Sequence, residues 1–506
     1  MSKSRNFAIL LYFTTVVAAL TYNVSSSSPA TASGPLSVAP VGISFEFFTF
    51  PEYFTSVNAT DQCLQNLKDV GGGASTRIRI GGTTQDRATY DHALSADVKY
   101  AVASPKDAPA SLTYGPSFFA RAGTYGGRVT VGLNRELNKL NNTIAAARVA
   151  QEKMSNLEAI ELGNEPEYYS STSPIAEGQA WTAQRDYASQ ISWQMSLGQN
   201  LSTPNIIQAG VYLEAREFNN KDLASNETTA ALEYVKTFDS HHYPQSGPSS
   251  NLTSLMNHAE IVSRAAAFKG EVAAAKSKGK IHVFGETNSA TQGGGGISPT
   301  FGAGLWIVDY VMQAMILGSE SLFFHQGTIG NCQYCWWGRF SMGAPYYGAY
   351  FATQALANVA YIAQLDEGSS QYAAYALYDS NKALTKVLLY NSDYYTSGTR
   401  SAQNFTLTGL TGSSTTAVRL TASFATSRQD QGQIPTVGGQ SFEDGTCVIQ
   451  GTPVKEKTVV ADAQLDRLNL TLLSVSLYSQ LFVQKIVWMN QKDSDRTCQR
   501  ADNSAE

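Results

Sequence analysis

Two short apolar stretches of this sequence each run straight into a glutamate. IELGNEPEY at 160–168 sets Glu165 between Asn164 and Pro166, and IHVFGETNSA at 281–290 does the same with Glu286. Either glutamate alone reads equally well as a loop residue or a helix cap. Two of them at the ends of two strands can face one pocket. There, one carboxylic acid donates a proton while the other carboxylate attacks a sugar carbon or activates water. Glycoside hydrolysis is the chemistry such a pair predicts. Carboxyl groups about 5–5.5 Å apart give retention of configuration, and roughly 6.5–9.5 Å gives inversion. Their proximity raises one pKa, which keeps a protonated acid available.

Something must bring the two together. Strand patterns recur at 42–48, 75–82, 128–134, 158–165, 205–213, 237–243, 280–287 and 319–327. Amphipathic helix patterns fall between several of them, at 60–71, 252–279 and 301–318. Eight strands alternating with helices predict an α/β fold, a (β/α)8 barrel over 34–363, whose chemistry sits at the C-terminal strand ends. Glu165 then ends strand 4 and Glu286 strand 7, and strands three apart in a ring of eight converge on one pocket. An open doubly wound sheet is the alternative, but no Gly-rich phosphate fingerprint follows the first strand. After the helix pattern at 344–364 the texture changes to alternating segments such as YAAYALYD and ALTKVLLYN, joined by Gly/Ser/Asn turns. These predict a β-sandwich over 364–490, with a disordered tail at 491–506.

Composition bounds the partners. The chain has 506 residues, 15% of them charged, with a net charge of -5 and no basic run, which excludes nucleic acid as the main partner. Lys3 and Arg5 precede the apolar run at 7–20, and a Ser-rich stretch follows. This predicts a cleaved secretory leader within 1–25, too short for a spanning helix, and hence a secreted, extracellular protein with no membrane attachment after cleavage. Sequons at Asn58, Asn141, Asn200, Asn226, Asn251, Asn404 and Asn469 predict N-glycosylation. The cysteines are Cys63, Cys332, Cys335, Cys447 and Cys498. Cys447 and Cys498 could staple the C-terminal region, and Cys332-Gln-Tyr-Cys335 reads as a local disulfide or free thiols. No zinc constellation is visible, and neither metal nor cofactor is expected. Trp336 and Trp337 read equally as an aromatic platform for an aglycone or as core. The sequence does not fix the oligomeric state.

LGNEPE and FGETNSA resemble the catalytic segments of clan A retaining glycosidases. With RIGGTTQD at 79–86, SHHYP at 240–244, SFEFFTFPEY at 44–53 and the long FGETNSATQGGGGISPTFGAGLWIVDYV segment, the resemblance narrows to glycoside hydrolase family 79, the β-glucuronidase and heparanase family. It implies that Glu165 is the acid/base and Glu286 the nucleophile. Asn164 would bind the sugar 2-OH, Tyr243 would orient Glu286 with His242 nearby, and Glu46 would bind sugar hydroxyls. It also implies that backbone N–H groups at Gln292, Gly293 and Gly294, with Tyr334, hold the glucuronate carboxylate. Tyr346 and Tyr347 compete with Tyr334 for that place, and Tyr212 is a further substrate contact. Arg79 would either hold the nucleophile ionised or form a packing ion pair. PLSVAP at 35–40 would add a strand to the sandwich. The implied activity is exo-β-glucuronidase, releasing glucuronic acid or its 4-O-methyl form from glycans or glycoproteins. The alternatives are an endo-acting heparanase-like enzyme, a clan A glycosidase for neutral sugars, and a non-catalytic glycan-binding protein.

Overall fold

The computed structural model describes residues 19–398, 403–410, 414–459, 467–471 and 480–485. Eight parallel strands close a barrel: β1 (Val41–Glu46), β2 (Ile78–Gly81), β3 (Val129–Leu133), β4 (Leu157–Leu162), β5 (Ile207–Leu213), β6 (Val235–His242), β7 (Ile281–Thr287) and β8 (Leu322–Gln326). Each pairs with its sequence neighbours, and β8 returns to β1 through pairs such as Phe324 with Ile43. All eight expected strands are present.

Strand alternation sorts the side chains. On β2, Ile78 and Ile80 join the hydrophobic core, while the intervening Arg79 is fully buried and bonded to polar side chains of neighbouring strands. The same period brings Ser44, Glu161, Gln208, Asp239 and His325 into one hydrogen-bonded set, so the barrel holds a polar network beneath its C-terminal rim.

The second unit is a pair of sheets. A seven-stranded sheet runs Tyr361–Gln364, Tyr372–Tyr378, Leu384–Asn391, Gln480–Lys485, Ser414–Thr421 and Thr436–Val437, with Glu456–Val459 also paired to Ser414–Thr421. A three-stranded sheet combines Leu20–Asn23, Asn404–Thr408 and Arg467–Thr471. Strands of the larger sheet are apolar on both faces. Ala374, Ala376, Tyr378, Val387 and Leu389 cluster with Phe405 and Leu407 of the smaller sheet, whereas Tyr375, Leu377, Leu388 and Tyr390 belong to the cluster shared with the barrel. That sharing explains the helix Phe301–Leu317, buried along almost its whole length, because barrel and sandwich cover it from two sides.

Two expectations, the PLSVAP strand and the Cys447–Cys498 pair, need correcting, and two readings are narrowed. The stretch assigned to the leader contains the strand Leu20–Asn23, paired with Phe405–Thr408, and Tyr22 and Val24 are buried in the sandwich. PLSVAP forms no strand, although its Leu36 N–H donates to Ala360 O beside Tyr361–Gln364, and that of Ser33 donates to Ile362 O within it. Cys447 pairs with Cys63, not Cys498, tying the barrel helix Ala59–Val70 to a loop 384 residues away. Cys498 and the tail at 491–506 lie outside the described residues. Trp336 and Trp337 are 0% and 1% exposed and pack against Phe324, Phe45 and Tyr346, so they are core and no platform. Among the described residues, no helix is long and apolar enough to cross a membrane.

Candidate active site

Arg79 organises the C-terminal end of the barrel. Its guanidinium is 0% exposed, which demands full pairing. Nε and Nη2 fork onto Glu161 at 3.1 and 2.5 Å, Nη1 reaches Glu286 at 2.6 Å and Ser44 at 3.0 Å, and Nη2 also donates to Asn164 Oδ1 at 2.9 Å. The two glycines that follow make this possible. A Cβ on Gly81 would lie 2.3 Å from the Arg79 guanidinium. One on Gly82, whose φ is +99°, would lie 2.6 Å from a Glu46 oxygen. RIGG is therefore the spacing that lets an arginine and a glutamate share one corner.

Glu286, on β7, accepts from Tyr243 Oη at 2.7 Å, and His325 Nδ1 stands 3.5 Å away. Burial works to raise its carboxyl pKa. Attraction from His325, His241 and Arg79, with the Tyr243 hydrogen bond, outweighs that and holds it well below the usual carboxylate range. Glu286 is thus held as a carboxylate.

Glu165 follows β4, with φ +46° and ψ 60°, a left-handed conformation that non-glycine residues avoid at a cost of roughly 1–2 kcal/mol. Its N–H donates to Val211 O at 3.0 Å, and Pro166 opens a short 3-10 turn behind it. The chain thus reverses at Glu165, which answers why Asn and Pro flank it. Asn164 is fixed from both ends, its N–H donating to Asp86 at 2.7 Å and its side-chain oxygen accepting from Arg79. One oxygen of Glu165 and one of Glu286 lie within 4.8 Å of each other, with a ring nitrogen of His241 also within 4.8 Å of both.

His241 takes the place expected of His242. Its Nδ1 lies 3.0 Å from Glu165, and its Nε2 lies 3.6 Å from Asp239. Burial lowers its pKa, but the carboxylates of Asp239 and Glu165 beside its two ring nitrogens override this and raise it well above the ordinary value. His242 points the other way, pairing with Glu214 at 2.9 Å and packing on Phe268 and Tyr310. Alternation decides it: Asp239 and His241 share one face of β6 and His242 takes the other.

Of the remaining expected residues, Glu46 is in place, accepting from Thr84 N at 2.9 Å and standing 3.4 Å from His325. Tyr334 is also at the site, its ring centroid 6.2 Å from Tyr243 and 6.1 Å from His325. Its competitors are elsewhere: Tyr346 donates to Cys63 O and Tyr347 to Gln429. Gln292 lines the cleft, opening a 3-10 turn, Gln292–Gly296, that contains Gly293 and Gly294. Tyr212 is not in the site. Its hydroxyl donates to Asp186, which also holds Arg135, and it is 1% exposed. Gly210 and Val211, both at positive φ, bulge β5 against β6 and turn Tyr212 outward. Glu161, Gln208, Asp239 and His325 were not anticipated; polar residues at period two inside apolar strands were the signal.

A cleft of about 690 Å³ opens beside Glu165, lined by Asn164, Tyr168, Glu214, Arg216, Tyr243 and Gln292 among others. A (β/α)8 barrel presenting one ionised and one hydrogen-bonded carboxylate from strands 4 and 7 at the head of such a cleft defines a clan A glycoside hydrolase. The likenesses carry this to the family. Residues 374–470 match the model of the glycosyl hydrolase family 79 C-terminal beta domain. A β-glucuronidase of Aspergillus niger is 29% identical over 411 residues, 73% of this chain and 74% of the relative. One of Neurospora crassa is 29% identical over 435, or 75% and 76%. A 4-O-α-L-rhamnosyl-β-D-glucuronidase of Fusarium oxysporum 12S, solved with Rha-GlcA, is 56% identical, covers 92% of this chain and 100% of its own, and superposes with a TM-score of 0.89. An α-L-arabinofuranosidase of Thermotoga maritima, 12% identical with a TM-score of 0.60, shares the fold. The chain belongs to glycoside hydrolase family 79.

Proposed function

We propose that this chain is a secreted, retaining exo-β-glucuronidase that removes glucuronic acid from the non-reducing ends of glycans by double displacement. The separation of the carboxylates carries the mechanism. Oxygens within 4.8 Å sit near the roughly 5–5.5 Å of retaining pairs and short of the roughly 6.5–9.5 Å of inverting ones. Glu165 gives its proton to the glycosidic oxygen as Glu286 attacks the anomeric carbon. The C–O bond breaks, and its electron pair leaves with the now protonated aglycone. Water then enters, gives a proton to Glu165 and attacks the same carbon, and Glu286 departs as carboxylate. His241 beside Glu165 stabilises the carboxylate left after the first transfer. Asn164 is placed to bind the 2-OH.

The sugar comes from the relatives, which are β-glucuronidases. The turn Gln292–Gly296 and Tyr334, next to Glu286, are the receptor for the C6 carboxylate. A 4-O-substituted glucuronate is the finer reading, supported by the Fusarium relative, which is similar over its whole length and acts on 4-O-rhamnosyl glucuronides.

The test is hydrolysis of matched aryl β-glucuronide, β-glucoside and β-galactoside, with a 4-O-rhamnosyl glucuronide beside them. The glucuronides should dominate in kcat/KM. Preference for a neutral sugar would overturn the assignment, and turnover of the unsubstituted glucuronide alone would remove the 4-O-rhamnosyl reading.

A further inference from the structure

Cys332-Gln-Tyr-Cys335 contributes nothing to the proton transfers above, yet it stands beside the nucleophile. We propose that the Cys332–Cys335 disulfide is a positioning device that presets the receptor for the substrate's C6 carboxylate; this rests on the glucuronidase reading. The bridge closes a ring with only Gln333 and Tyr334 between its ends. The ring is fastened to the end of β8: Gly327 N–H donates to Cys335 Sγ at 3.2 Å, Tyr53 Oη lies 3.5 Å from the same sulfur, and Tyr53 Oη donates to Gly327 O at 3.0 Å. Just beyond the ring, Trp336 N–H donates to Gln326 Oε1 at 2.6 Å.

The two enclosed residues then reach in two directions. Tyr334 lies against Tyr243 and His325, the side chains that face Glu286. Gln333 turns to the other half of the receptor, its Oε1 accepting from Gly296 N–H at 2.9 Å at the end of the glycine turn. A Cβ on Gly294 would lie 3.0 Å from the Gln333 Cβ, so turn and ring also pack. Five consecutive residues, four of them glycine, have little rigidity of their own, and ordering a residue costs about 1–2 kcal/mol. A ring closed beforehand removes that cost from the binding step. The site thereby holds its anion receptor ready without help from Glu165 or Glu286.

The full chain carrying Cys332→Ser and Cys335→Ser together tests this, with Cys63–Cys447 intact. Two quantities are read: KM and kcat on aryl β-glucuronide against aryl β-glucoside, and hydrogen–deuterium exchange over 290–298. KM for the glucuronide should rise about tenfold, the loss of one hydrogen bond to a charged group, with kcat and the glucoside KM little changed. Exchange over 290–298 should quicken, and Gln333→Ala should reproduce that with the disulfide present. Should the double variant fail to fold, mild reduction of the parent serves, because Cys63 and Cys447 are fully buried while Cys332 and Cys335 are half-buried. Unchanged exchange, or faster exchange with the parent's KM and selectivity, overturns the proposal. A parent that prefers the glucoside defeats the glucuronidase reading instead, and no variant is needed to see it.

Discussion

Arg79 shares the ionisation of the site with His325 and His241. One buried cation serves Glu161, which burial pushes up and Arg79 pulls down, and Glu286, which ends well below the carboxylate range. Glu165 lies outside the hydrogen bonds of Arg79; its partner is His241 at 3.0 Å. The two glutamates therefore answer to different partners, Glu286 to Arg79 and Tyr243 and Glu165 to His241. Glu165→Ala should cut kcat by about 10²–10⁴ on substrates with poor leaving groups and far less on activated aryl glycosides, because only the former need the proton. A leaving-group series checks this, and equal losses across it would remove the acid role. Both glutamates were legible because each ends an apolar strand. His241 was not separated from His242, since the pair reads the same until strand alternation is imposed. Tyr212 was misplaced because a bulge at Gly210 and Val211 leaves no mark that periodicity can see.

At the scale of elements, the barrel's eight strands were legible from their spacing, but what fastens the helices to the sandwich was not. His258 opens the helix His258–Ala266 and bridges Asp309 at 2.8 Å, on the helix Phe301–Leu317, to Asp366 at 2.9 Å, beside the sandwich strand Tyr361–Gln364. Tyr375 donates to Asp309. These contacts join residues 51 and 108 positions apart, a range over which sequence patterns carry no signal. Burial lowers the His258 pKa, yet the two aspartates raise it to about 10. Its contribution to stability is then fully present below about pH 6.5, the unfolded value, and is lost as pH rises through about 10. His258→Ala should cost roughly 3–5 kcal/mol at neutral pH by stranding two buried carboxylates. It should also flatten the fall in Tm between pH 7 and 10. Thermal melts across that range measure it, and a parent Tm that stays level would contradict the assigned coupling.

The whole molecule is one barrel and one sandwich sharing a core, and its ends are less obvious than its middle. The strand Leu20–Asn23 belongs to the smaller sheet, with Tyr22 and Val24 packed beside Phe405 and Leu407. An apolar run after two cations reads as a leader up to the Ser-rich stretch, and nothing local distinguishes its last residues from a buried strand. If the leader is cleaved as proposed, N-terminal sequencing of the mature protein should find the first residue at or before Leu20. A start beyond Asn23 would delete the strand and contradict its place in the sheet. The Cys63–Cys447 bond likewise spans 384 residues, a separation no spacing rule predicts.

The central claim is that Glu286 forms a covalent bond to the sugar with Glu165 as its acid. The measurement that meets it most directly is trapping with a 2-deoxy-2-fluoro-β-glucuronosyl fluoride, followed by mass spectrometry of the digested protein. One sugar adduct is expected, on the peptide that carries Glu286. An adduct on Glu165, or none in an enzyme that turns over glucuronides, would contradict it.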